Sequence, residues 1–339
     1  TELRELVVSH TDEKGILQLY RMKEDGSGRQ QLSRSKRGCR MPACSPDGTK
    51  LIYVQQVDDS LSLWISGLDG RNARALIDEG MNLLPSWLPD SRHIVWMKAQ
   101  PGKDPSRESQ IHLMNTETGE SRRLFSDPEQ LKFSNAMPVV SPKGDQIAFV
   151  SDRSGEMRIW VSALDGSKAR LVSPPKVDFH KVIKAPIEQK VPAWSPDGKL
   201  LSLTLYQDGN AEIYILNLKN KNLTRLTKHY SIDTESRWSP KGTKILFTSG
   251  RSGSPQLYEI DLTKFNTKPS RLTFEGNYNA KGSYLPNNEG IVFVHRSNNE
   301  FQIALKYFDE NFIRPLTESK MDESPSVSPN GNVIVYAIT

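Results

Sequence analysis

Val191-Pro192-Ala193-Trp194-Ser195-Pro196-Asp197-Gly198-Lys199-Leu200-Leu201-Ser202-Leu203-Thr204-Leu205 reads as a strand, a tight turn and a second strand. Proline sets φ at the first central turn position, aspartate bonds back to the backbone, and glycine takes the positive φ that other residues resist. Downstream, Gln207-Asp208-Gly209-Asn210 turns the chain into an alternating third strand over 211–218, and Leu223-Thr224-Arg225-Leu226-Thr227 supplies a fourth. The stretch from Val191 to Thr227 therefore reads as one four-stranded antiparallel blade.

The turn recurs along the whole chain. Ser45-Pro46-Asp47-Gly48, Leu88-Pro89-Asp90-Ser91, Ser141-Pro142-Lys143-Gly144, Ser239-Pro240-Lys241-Gly242, Leu285-Pro286-Asn287-Asn288 and Ser328-Pro329-Asn330-Gly331 repeat it, with successive prolines 43, 53, 54, 44, 46 and 43 residues apart. A period of about 40 to 50 residues built from short strands predicts an all-β β-propeller of four-stranded antiparallel blades. Complete blades are expected to start near Ala43, Ser86, Pro138, Pro192, Arg237 and Ser283. The N-terminal segment reads as second, third and fourth strands, and Ser324-Pro325-Ser326-Val327 with Val333-Ile334-Val335-Tyr336-Ala337 supplies an innermost strand and one more. Terminal strands sharing a closing blade would make residues 1–339 a single domain of seven blades, with eight as the alternative, and would remove open sheet edges. Leu6–Ser9 and Val333–Ala337 then compete for one place, so one of them is expected outside the blade unless an eighth is begun.

Composition narrows the setting. The 45 basic and 40 acidic residues give a net charge of +5, spread over every repeat without a dense basic stripe interleaved with aromatics, so no nucleic-acid partner is expected. No apolar run approaches the roughly 18 residues of a membrane span, and Thr1, Glu2 and Arg4 open the sequence without a signal-peptide core. Any export signal or membrane anchor is expected to have been removed or to lie outside this sequence. Cys44 holds the place of Trp194 and Trp238 in other repeats, so Cys39 and Cys44 read as packed thiols, with a local disulfide as the alternative in an oxidising compartment.

The repeats resemble the TolB-type β-propeller family, whose turns carry Trp-Ser-Pro-Asp-Gly followed by an apolar strand and a Ser-Asp-Arg-Ser-Gly hairpin. The residues that carry the likeness are Pro192 to Gly198, Asp233-Thr234-Glu235-Ser236-Arg237-Trp238-Ser239-Pro240, Arg271-Leu272-Thr273-Phe274-Glu275-Gly276-Asn277 and Asp322-Glu323-Ser324-Pro325-Ser326-Val327-Ser328-Pro329-Asn330-Gly331. From about Val191 onward the order is similar to the family's periplasmic Tol-Pal members. The resemblance implies a bacterial, periplasmic or otherwise extracytoplasmic propeller that binds an envelope protein or lipoprotein, Pal in that family, at its central mouth. Seven turn signatures stand where the family's propeller carries six.

Chemistry is sparse. Gly250-Arg251-Ser252-Gly253-Ser254 lacks the last glycine of a nucleophile elbow, and no Gly-rich phosphate loop precedes a helix. Among the histidines, His112 alternates within a strand, His93 and His295 sit at strand ends, and His10 lies at a hairpin. Only His180 and His229 fall in connections toward an innermost strand, fewer than the three ligands of a catalytic metal site. No catalytic residue, metal or cofactor is expected, and a non-enzymatic binding scaffold is the leading reading. A metal-dependent oligogalacturonate-type lyase and the extracytoplasmic sensor domain of a membrane-anchored regulator are the alternatives.

In a propeller, the connection from an outermost strand to the next innermost strand returns toward the channel. The positions just before each innermost strand are Arg40 and Met41, Asn82, Asn135 and Met137, Gln189, Thr234 and Glu235, Asn279, and Asp322 and Glu323. They mix donors, acceptors and both charges, as a peptide-binding face does. The family resemblance carries the Pal-binding role onto Asn135, Thr234, Glu235 and Asp322. The long connection over 173–184 adds Phe179 and His180, because its apolar Phe179, Val182 and Ile183 stand among Lys176, Lys181 and Lys184.

Overall fold

The computed structural model describes residues 5–173, 192–317, 322–327 and 333–338, apart from 24, 26, 104, 106, 107, 208, 265, 266 and 299. Every regular element among them is a strand. In chain order these are Glu5–Thr11 (β1), Leu17–Lys23 (β2), Gln30–Gln31 (β3), Cys39–Cys44 (β4), Lys50–Val57 (β5), Ser60–Gly67 (β6), Arg74–Ile77 (β7), Met81–Trp87 (β8), His93–Ala99 (β9) and Ser109–Asn115 (β10). Ser121–Arg123 (β11), Asn135–Val140 (β12), Gln146–Ser151 (β13), Arg158–Ala163 (β14), Arg170–Leu171 (β15), Ala193–Trp194 (β16), Leu200–Gln207 (β17), Asn210–Asn217 (β18) and Leu223–Arg225 (β19) follow. The last are Asp233–Trp238 (β20), Lys244–Ser249 (β21), Gln256–Asp261 (β22), Ser270–Arg271 (β23), Tyr278–Tyr284 (β24), Gly290–Ser297 (β25), Glu300–Tyr307 (β26), Arg314–Pro315 (β27), Asp322–Val327 (β28) and Val333–Ile338 (β29).

The chain forms two compact units, residues 80–236 and residues 1–79 with 237–339. In the first, β8 to β11, β12 to β15 and β16 to β19 each pair as consecutive antiparallel neighbours. In the second, β4 to β7 and β24 to β27 do the same, and β21 pairs with β22 and β22 with β23. The second unit also holds a five-stranded sheet in the order β28-β29-β1-β2-β3. Its β1 and β29 run parallel, Glu5 opposite Val333 and Val8 opposite Tyr336. The expected competition between the terminal strands is therefore corrected: both lie in the same sheet, side by side.

Apolar residues on alternate positions meet between neighbouring sheets. Tyr20 and Ile334 pack with Val292, Val294, Ile303 and Leu305, while Val7 and Leu19 pack with Leu51 and Tyr53. In the other unit Val95 and Ile111 pack with Ile147 and Phe149. Close approach to backbone dictates several glycines. A Cβ on Gly166, at φ +85, would stand 2.1 Å from the Leu124 carbonyl oxygen, and one on Gly290 would stand 2.5 Å from the Lys306 carbonyl oxygen.

The proline turns are held as their residues require. Ser195 Oγ donates to Asp197 Oδ1 at 2.6 Å and accepts the Leu200 N–H at 2.9 Å, and Gly198 sits at φ +73. Ser45 and Asp47 repeat the arrangement with Lys50. The Ser195 hydroxyl foremost, with the Lys199 N–H and ammonium, holds the Asp197 carboxyl below its usual range. The turn at 328–331 lies outside the described residues.

Candidate binding surface

The innermost strands begin earlier than the sequence reading placed them. The sequence places these starts near Ala43, Ser86 and Pro138, at or just after Pro42, Pro85 and Pro138, each a residue that cannot donate to a ladder. Each instead lies inside its strand, at a bulge where the register jumps: between Arg40 and Ala43, Leu83 and Ser86, and Ala136 and Val139. The same jump falls between Ala280 and Ser283 and between Glu323 and Ser326. At these bulges a non-glycine residue adopts the left-handed conformation: Met41 at φ 52°, Leu84 at 51°, Met137 at 52° and Lys281 at 55°, with Glu235 at 60° in β20. An L-residue resists this conformation by about 1–2 kcal/mol, and its repetition marks a built feature that re-aims the side chain.

Asn82, Asn135, Asp233 and Asn279, five residues before the turn-proximal Trp87, Val140, Trp238 and Tyr284, are fully buried. Asn135 accepts from the Arg153 guanidinium at 2.6 Å and donates to Gln110 and to the Phe133 carbonyl. Arg153 in turn lies 4.5 Å over the Phe125 ring and 5.1 Å from Phe149 and Trp160, so the arginine of the Ser-Asp-Arg-Ser-Gly hairpin is a stacked anchor. Asn279 donates to Gln256 at 2.8 Å and faces His295 Nδ1 at 2.8 Å. His295, read from sequence as a strand-end residue, is buried within β25, and burial lowers its imidazole pKa.

A second recurring device follows five of the short outer strands, β3, β15, β19, β23 and β27. The Thr227 hydroxyl accepts the Ile213 N–H at 2.9 Å, Thr273 accepts that of Leu257 at 3.0 Å, Thr317 that of Ile303 at 3.0 Å, Ser33 that of Leu19 at 2.8 Å and Ser173 that of Ile159 at 3.2 Å. This hydroxyl clip pins the point where the chain turns back. In residues 80–236 it is reinforced by Glu212, fully buried, which accepts from Arg225 at 3.0 Å, from the Thr227 hydroxyl at 2.6 Å and from the His229 N–H at 2.7 Å. Asn210 also donates to the carbonyls of His229 and Ser231. The loop so held projects Tyr230, 85% exposed, whose ring lies 4.2 Å from that of His229, and Ile232, 58% exposed. Tyr230 and His229 border an open concavity of about 750 Å³ that Arg225 and Lys228 also line. In the other unit, the connection after Thr273 carries Phe274, 70% exposed, beneath the Arg271 guanidinium at 4.9 Å.

The TolB beta propeller domain matches residues 5–178 and 176–339. The chain belongs to the TolB β-propeller domain family. A Tol-Pal system protein TolB from Francisella tularensis subsp. mediasiatica is 31% identical over 209 residues, covering 60% of this chain and 45% of that protein. The chain spans about half the length of the curated relatives it matches. The crystal structure of TolB from Acinetobacter baumannii is 26% identical and superimposes with a TM-score of 0.55 over 83% of this chain and 71% of that one. An oligogalacturonate lyase in complex with manganese, 18% identical, reaches a TM-score of 0.64 over 88% of this chain and 84% of its own, a likeness of fold alone. The chain is thus an all-β TolB-type β-propeller with several four-stranded antiparallel sheets.

Within this TolB-type fold, Asn135 and Met137 are buried in β12, and Thr234 and Glu235 are half-buried in β20. Asp322 and Glu323 fall in β28. Phe179, His180 and Gln189 lie outside the described residues. Positions expected in loops ahead of the innermost strands are therefore inside those strands, at the bulges. Tyr230, Ile232 and Phe274 were not singled out, although each stands a few residues after a Leu-Thr pair that marks a clip. Among the described residues no group of three or more His, Cys, Asp or Glu is placed to hold a metal, and no helix is long and apolar enough to cross a membrane. Cys39 and Cys44 are free thiols, and burial pushes their pKa up to about 11 and about 12.

Proposed function

We propose that the chain is an exported, periplasmic bacterial protein that acts as a non-enzymatic binding scaffold for an envelope protein, a lipoprotein of the Pal type. The observation that carries this is the loop pinned by Glu212. A fully buried carboxylate with three donors fixes a connection that holds Tyr230 and Ile232 in solvent. Rigid, exposed aromatic and aliphatic anchors beside cations are what protein interfaces use as hot spots. The Francisella relative's name supplies the Tol-Pal setting. In this reading the half-buried Thr234 and Glu235 of β20 belong to the same surface, with the buried Asn135 and Met137 fixing β12 and Phe179 and His180 as further candidates, while Asp322 and Glu323 are proposed contacts of the other unit in their own right. The assignment of residues 1–339 to one domain of seven blades is likewise our proposal.

Calorimetric titration with the purified Pal-type lipoprotein encoded by the same genome tests it. Tyr230→Ser with Ile232→Ser should weaken binding by about tenfold or more, at an unchanged melting temperature. Absence of binding by the parent chain, or equal affinity in the variant, sinks the proposal.

A further inference from the structure

A second concavity, about 530 Å³, opens in residues 80–236, where β9, β10 and β11 lie side by side. Strand register sets its floor. Lys98 stands opposite Gln110, while His112 stands between Trp96 on one side and Arg123 on the other. Residues opposite one another on neighbouring strands project from the same face, so His112 and Arg123 share it and Lys98 reaches it diagonally. His112 rests on the Trp96 ring at 5.0 Å, and Trp96 is itself fixed by its indole N–H donating to Asn82 at 2.9 Å. Leu131 and Phe133 form an apolar wall.

The charges of this cleft do not cancel. Lys132 is engaged with Glu129 at 2.7 Å and Glu108 with Lys103 at 3.3 Å. Lys98 and Arg123 make no ion pair among the described residues, and the His112 ring makes no hydrogen bond among them. A concavity of this size suits a small molecule, and two unpaired cations beside an apolar wall suit one with a charged end and an apolar body.

We propose that this cleft binds a small organic anion, its carboxylate or phosphate held by Lys98 and Arg123 and its apolar part laid against Leu131 and Phe133. The site is separate from the loop of Tyr230 and does not depend on the function proposed above. His112 reports occupancy. Burial, with Arg123 and Lys98 adding to it, lowers its pKa to about 4, so an anion that neutralises those cations raises it.

The His112 Cε1–H resonance of the full chain, followed by NMR against phenyl phosphate, benzoate and benzyl alcohol, decides the matter. Either anion should give a saturable shift and move the His112 midpoint upward, and the neutral alcohol should not. Lys98→Gln and Arg123→Gln should each weaken the anion by about tenfold. Arg123 is exposed and Lys98 half-buried, and melting curves show that the variants are folded. The tighter of the two anions identifies the headgroup. No saturable shift with either anion, an equal shift with benzyl alcohol, or unchanged affinity in both folded variants overturns the proposal.

Discussion

The Thr227 hydroxyl donates a hydrogen bond to Glu212 Oε2 at 2.6 Å while accepting the Ile213 N–H at 2.9 Å. One oxygen thus satisfies a buried carboxylate and an edge amide together. Thr227→Val keeps the shape and removes both bonds, leaving Glu212 short of a donor in a site without water access. We expect a loss of about 2–3 kcal/mol in urea unfolding, against under about 1 kcal/mol for Thr227→Ser, which restores the hydroxyl. Equal effects for the two variants would show that volume, not the hydroxyl, matters there.

Lys281 occupies the left-handed region at φ 55° at the bulge of β24. Its backbone N–H bonds to Thr248 Oγ1 at 3.2 Å, a contact that glycine keeps. Lys281→Gly should therefore stabilise the chain by about 0.5–1 kcal/mol, the relief of left-handed strain exceeding the entropy glycine adds to the unfolded chain. Lys281→Val should destabilise it by about 1 kcal/mol or more. Denaturation midpoints of the two variants relative to the parent check the sign.

His112 gives a pH signature. Its folded pKa is lowered to about 4 by burial, then by Arg123 and Lys98, from an ordinary 6.5. Between these values the unfolded chain binds the proton and the folded chain does not, so stability falls as pH drops from about 6.5 to about 4 and the loss is complete below. After allowance for solvent screening of a half-buried ring, about 1–2 kcal/mol is expected. His112→Gln should flatten the unfolding free energy across that window. A parent-like slope in the variant would assign the pH dependence to other groups.

The sequence carried the turns and the blade grammar because proline, aspartate and glycine each act locally at Ser195–Gly198. It carried less of the surface, for two physical reasons. The starts expected near Ala43, Ser86 and Pro138 fall late, after the true starts at Cys39, Met81 and Asn135, since a single sequence does not reveal that a bulge lets Pro42, Pro85 and Pro138 sit inside the strand. Thr227 and Thr273 looked like ordinary outer-strand residues, since their role depends on Ile213 and Leu257, which lie 14 and 16 residues away. Glu212 would have been read as an exposed strand residue for the same reason: its partners, Arg225, Thr227 and His229, arrive from the following strand and loop. The parallel neighbours β1 and β29 were hidden because their pairing joins residues more than three hundred positions apart.

That parallel pair has a mechanical consequence. Tension entering at Glu5 and leaving at Ile338 draws β1 and β29 in opposite directions along a common axis, since the strands point the same way. The rungs from Glu5–Val333 to Val8–Tyr336 are then loaded together in shear rather than peeled one after another. The seam between the two terminal strands yields only when its rungs break as a group, which makes it a force-bearing joint.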